Sequence, residues 1–73
     1  MASLRVVSGK QAVDAFCKDG WNIGRQKGGH VILLKPGRMA SLSVPQHKEL
    51  APGTLRSLIR AAGMTVDQFN ALL

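Results

Sequence analysis

Apolar residues recur at helical spacing over Ala12, Val13, Phe16 and Cys17. Ser8-Gly9-Lys10-Gln11 stands just before them as a capping box, with Ser8 at the N-cap and Gln11 three residues on. The pattern predicts a helix from about Gly9 to Lys18, with Gly20 placed to end it. The period then changes from 3.6 to 2. Trp21, Ile23 and Arg25 alternate with Asn22, Gly24 and Gln26, which predicts a first strand. Lys27-Gly28-Gly29 is a glycine turn. His30 to Lys35 forms a second strand, apolar on both faces at its centre and therefore central in the sheet.

After the Pro36-Gly37 turn, Met39 to Val44 alternates again, with Ala40, Leu42 and Val44 on one face and Met39, Ser41 and Ser43 on the other. Pro45 ends that ladder. Pro52 starts a second helix, where its missing N–H costs nothing. Leu55, Leu58, Ile59 and Ala62 follow at i, i+3, i+4 and i+7, and Gly63 closes the helix. Thr65-Val66-Asp67-Gln68 opens a last short helix with Phe69, Leu72 and Leu73 as its apolar residues.

The order is α-β-β-β-α-α. The fold class expected is α+β, a three-stranded antiparallel sheet with both long helices on one face and the other face open to water. That is the architecture of the double-stranded RNA-binding domain, in an order that many small α+β domains share.

With 73 residues and 45% apolar content, the expectation is a single folded domain over 1–73. The charge adds more. Ten Lys and Arg against four acidic residues give +6, a field that draws polyanions: nucleic acid, an anionic membrane or an acidic protein. No apolar run approaches a membrane span, and no apolar signal-peptide core follows the amino terminus. One cysteine cannot form an internal disulfide, so the compartment expected is the reducing cytoplasm. Cys17 lies on the apolar stripe and reads as a buried thiol rather than a nucleophile. Two separated histidines and that cysteine offer too few ligands for a metal, and no cofactor is expected.

Candidate chemistry collects in the turn between the first two strands. Arg25 and Lys27 bring charge, Gly28 and Gly29 expose N–H groups that can meet a phosphate, and His30 follows at once. A histidine there can move a proton near neutral pH, which phosphodiester cleavage requires. The plainer alternative is a Gly-Gly hairpin with a hydrogen-bonded rim histidine. Lys35 and Arg38 flank the Pro36-Gly37 turn and would widen the basic surface. His47 reads as a loop-orienting residue within reach of the sheet. Arg56 and Arg60 share a helix face that either tracks a phosphate backbone or is simply solvated. No Gly-x-Ser-x-Gly elbow and no P-loop spacing occur.

Three segments together carry a more specific resemblance: Trp21 to His30, ending in Arg25-Gln26-Lys27-Gly28-Gly29-His30; Val44-Pro45-Gln46-His47; and Gly53 to Thr65. In these the chain resembles the HicA (YcfA-like) toxin family over nearly its whole length. The resemblance implies a double-stranded-RNA-binding-like fold, endoribonuclease action on messenger RNA, and neutralisation by a HicB-type antitoxin. It puts the family's active histidine on His30. Two positions depart from the family pattern: Gly29 stands where the family has serine, and Val31 where a second histidine often follows. The expectation is a metal-independent mRNA interferase, monomeric when free, with His30 as general acid or base. Arg25, Lys27, Gly28, Gly29, Lys35 and Arg38 would hold RNA, with His47, Arg56 and Arg60 in support. The rival expectation is a non-catalytic module that binds duplex RNA by shape.

Overall fold

The computed structural model describes residues 3–73. Its elements run α1 (Gly9–Lys18), β1 (Asn22–Lys27), β2 (His30–Leu34), β3 (Leu42–Pro45), α2 (Pro52–Ala61) and α3 (Val66–Asn70). This is the expected α-β-β-β-α-α order in a small α+β fold of the double-stranded-RNA-binding-domain type.

The helix ends follow from local chemistry. Ser8 Oγ accepts the Gln11 N–H at 3.0 Å and Ser8 N–H donates to Gln11 Oε1 at 2.8 Å. Thr65 and Gln68 repeat that reciprocal cap on α3. Each box satisfies two main-chain donors that a helix start leaves unpaired. α2 has no side-chain cap at Ala51, and Pro52 instead removes one of the orphan N–H groups.

The sheet is antiparallel in the order β1-β2-β3. Val31 and Leu33 of β2 and Leu42 and Val44 of β3 point to one face and are buried. Ala12, Val13, Ala15 and Phe16 of α1 and Leu55, Leu58 and Ile59 of α2 join them in a single apolar cluster. Phe69 of α3 closes one side, its ring 5.1 Å from that of Phe16 and tilted 49°. The helices therefore cover one face of the sheet, and the face carrying His30, Ile32 and Leu34 is open.

All three strands differ from the expectation. β3 begins at Leu42 rather than Met39, and β2 ends at Leu34 rather than Lys35. Lys35 and Arg38 cause this: Arg38 N–H closes a turn on Lys35 C=O at 3.0 Å, and both side chains reach away from the sheet towards the helices. Met39 is left fully exposed. β1 lacks the regular alternation of Trp21, Ile23 and Arg25. Trp21 precedes the strand and is buried, and a β-bulge interrupts the ladder between Ile23 and Arg25. All six residues of β1 are exposed, because the helices pack on β3 and leave β1 overhanging.

Candidate active site on the open sheet face

The bulge decides which β1 side chains can meet His30. Residues directly opposite in an antiparallel ladder share a face. Ile23 pairs with Leu33 and belongs to the core side, whereas Arg25 pairs with Ile32 and Lys27 with His30 on the open side. One extra residue, Gly24, lies between them. A regular strand would have put Ile23 and Arg25 on the same face; the bulge re-aims Arg25 towards His30. Glycine suits position 24 because a Cβ there would come within 2.8 Å of Leu34 Cδ1, which leans over it.

Gly28 and Gly29 form the two-residue connection between the paired Lys27 and His30. Gly28 has φ 59°, and Gly29 lies outside the left-handed region. Positive φ at the first central residue alone is the sign pattern of a type II′ hairpin. The turn is locked from the other strand, since Gln46 N–H donates to Gly29 C=O at 2.7 Å. His30 itself sits between Lys27 on β1 and Pro45 on β3. Its side chain is exposed and makes no hydrogen bond to any of the described residues, so both ring nitrogens are free for a ligand.

An open depression of about 380 Å³ is lined by Lys27, Gly28, His30, Ile32 and Ser43. The sequence expectation included neither Ile32 nor Ser43. Period-two spacing puts Ile32 beside His30, but Ser43 reaches the depression only through its pairing with Ile32 across β2 and β3.

Charge is divided unevenly over the molecule. From Asn22 to Pro45 the chain carries Arg25, Lys27, Lys35 and Arg38 and no acidic residue. The four acidic residues, Asp14, Asp19, Glu49 and Asp67, all belong to the helices and their connections. The strands themselves thus carry Arg25 and Lys27 and no acidic residue, while Lys35 and Arg38 lie in the connection between β2 and β3.

The other expected residues lie elsewhere. Lys35 Nζ pairs with Asp19 Oδ2 at 3.2 Å and sits 5.9 Å from the centre of the Trp21 ring. Arg38 donates to the Ala61 carbonyl oxygen at 2.7 Å and its guanidinium lies against Gly63. Both are at the far end of β2 from His30, beside a larger depression of about 500 Å³ that also touches Met64 and Gln68. Size does not mark that hollow as the chemical site: its two cations are already engaged with Asp19 and with the end of α2. Arg56 and Arg60 are exposed on α2, behind the face that carries His30. The loop holding His47 is fixed by the main chain: His47 C=O accepts the Gly9 N–H at 2.9 Å, and its exposed imidazole makes no hydrogen bond to the described residues.

Cys17 is half-buried against the core, unpaired, with its thiol pushed above its ordinary pKa by burial and then by the Asp14 carboxylate. That is the opposite of an activated nucleophile. Among the described residues, no three His, Cys, Asp or Glu side chains cluster closely enough to hold a metal ion. No helix in the described residues is long and apolar enough to cross a membrane.

No curated protein matches the chain. The family model for the HicA toxin of bacterial toxin–antitoxin systems does, over residues 9–64, a span that contains α1, the whole sheet and α2. The chain belongs to the HicA toxin family and is the toxin partner of a cognate antitoxin.

Proposed function

We propose that this toxin is an endoribonuclease that cleaves messenger RNA in the cytoplasm without a metal, with His30 as the general acid or base. The ribose 2′-hydroxyl attacks the adjacent phosphorus and the 5′-oxygen of the next nucleotide leaves. His30 accepts the proton of the hydroxyl or donates one to the departing oxygen, and water exchanges the other proton. Arg25 and Lys27 hold the phosphate, and the Gly28 and Gly29 amides add uncharged donors to the charge that builds on its oxygens. Lys35 and Arg38 are engaged at the other end of the sheet, which leaves the nearer pair to carry this contact.

The observation that carries the reading is the grouping of His30, Lys27 and Arg25 on one open, acid-free sheet face. A HicB-type antitoxin that covers this face with acidic groups silences the free monomeric toxin by masking the same charge. The test is incubation of purified protein with labelled RNA in excess chelator. His30→Ala keeps the fold, because its side chain supports nothing within the protein, and loses about a hundredfold to ten-thousandfold in rate. Equal cleavage by the two proteins sinks the assignment, and RNA that is shifted but intact points to the binding module instead.

A further inference from the structure

The hollow beside His30 contains two side chains for which proton transfer has no use. Ile32 is half-buried and shows an apolar surface to solvent in the row next to His30. Ser43 lies directly across the ladder from it, exposed, with a hydroxyl that makes no hydrogen bond to the described residues. Arg25 completes that row on the other strand. The next row presents Leu34, 51% exposed. An apolar surface, one free hydroxyl and a cation in a single line across three strands match three features of a nucleotide: the face of its base, the polar edge of that base and its phosphate.

We infer that Ile32 and Ser43 form a nucleobase subsite that seats one unstacked base of single-stranded RNA beside the bond whose cleavage His30 assists by proton transfer, with Ser43 selecting the base. The inference rests on the endoribonuclease reading and adds the substrate's strandedness and a specificity residue to it. An unstacked base is required because in a duplex the base faces are covered by their neighbours, and only single-stranded segments offer both face and edge. A protein surface is the weaker match, since Ile32 and Leu34 make a narrow strip crossed by cationic rows rather than a broad apolar patch. Serine can donate and accept, so it discriminates between bases by which edge group it meets. A base resting on an aliphatic side chain falls at the low end of what stacking contributes to single-strand binding.

The experiment uses the isotope-labelled His30→Ala chain, which holds RNA without cutting it. It is titrated with a short single-stranded RNA containing all four bases, and separately with a duplex of the same sequence. The single strand shifts the amides of Arg25, Ile32 and Ser43. Ile32→Ser weakens its binding about fivefold, and the duplex binds more weakly than the single strand. In the chain that retains His30, Ser43→Ala changes the base found at the cut ends. Ser43 is exposed, so that variant folds and keeps the test sharp if Ile32→Ser is unstable.

Shifts confined to α1 and α2, or tighter binding of the duplex, overturn the subsite. So does an unchanged cut-end profile in Ser43→Ala. If the parent chain does not cleave yet single strands still shift Ile32 and Ser43, the nuclease reading falls and the subsite stands. If cleavage depends on His30 while both variants behave as the parent, the subsite falls and the nuclease reading stands.

Discussion

The Arg38 guanidinium donates an Nη2–H to the carbonyl oxygen of Ala61 at 2.7 Å, joining the β2–β3 connection to the last turn of α2. That carbonyl is among the four a helix leaves without a partner at its C-terminus, and a cation there also meets the negative end of the helix dipole. The contact is exposed, so its net worth is that of an ordinary hydrogen bond. Arg38→Ala is expected to lower stability by about 0.5–1.5 kcal/mol in urea unfolding. Cleavage per folded molecule stays that of the parent. A variant of unaltered stability with weakened RNA binding would return Arg38 to the RNA surface.

The same contact marks where sequence reading stops. The three helices were legible because their signals are local: Ser8 with Gln11, Pro52 at a helix start, Thr65 with Gln68. The start of β3 was not, because Met39 to Ser41 alternates convincingly, while the Arg38 before it is tied to a carbonyl 23 residues away, a contact that no local pattern announces. The strand faces were half legible. Val31, Leu33, Leu42 and Val44 follow the period of two, whereas Arg25 joins His30 only because the bulge at Gly24 breaks it. His30 stood out through the glycines before it. Ser43 could not, since its place depends on the register between two strands.

The two turn glycines differ sharply despite being neighbours. Gly28 has φ 59°, a conformation that costs an L-residue about 1–2 kcal/mol. Gly29 is outside that region, and a Cβ there would meet nothing within 4 Å. Gly28→Ala is therefore expected to lower the unfolding free energy by about 1–2 kcal/mol. Gly29→Ala should raise it by about 0.4–1 kcal/mol, since it restricts the unfolded chain without strain. Gly29→Ser is accommodated for the same reason, which allows the hydroxyl at the family's serine position to be tested on activity alone. Equal effects of the two alanines would mean that the turn is not built as described.

Gly9 is where α1 meets the end of β3. A Cβ there would collide with the Pro45 carbonyl oxygen and come within 2.8 Å of Gln46 Cα, both of them main-chain atoms that cannot swing aside. Gly9→Ala is expected to cost about 1–3 kcal/mol, the usual range for overpacking. The displacement should also be felt at the site, because Pro45 is the ladder partner of His30 and Gln46 holds the Gly29 carbonyl. Thermal unfolding and the His30 ring signals report the two effects. A neutral Gly9→Ala would show that helix and strand are further apart.

Cys17 gives a pH prediction with a definite sign. Burial, and secondarily the Asp14 carboxylate, raise the thiol's pKa in the folded protein. A raised folded-state value means the stability it contributes is whole below the unfolded pKa and is lost as pH climbs through the folded one. Near pH 8.5, about the ordinary thiol value, the unfolded chain should react with iodoacetamide faster than the native one. Equal rates in water and in denaturing urea would remove the burial argument.

Arg25 and Lys27 can be separated from the remaining cations by salt. A lysine or arginine that neutralises a phosphate of single-stranded RNA releases a counterion, so each such contact contributes about 0.7 to the slope of log affinity against log salt. Arg25 and Lys27 face His30 and are exposed, whereas Lys35 is held by Asp19 and by the Trp21 ring. On a non-cleaving His30→Ala background, Arg25→Gln and Lys27→Gln should each flatten the slope by about 0.7. Lys35→Gln should leave the slope unchanged and lower the melting temperature instead. Arg25 is the more telling of the two, because it reaches the open face only through the bulge at Gly24. If Arg25→Gln left the slope untouched while Lys35→Gln flattened it, RNA would be crossing the other end of the sheet, and the grouping around His30 would not be the binding site.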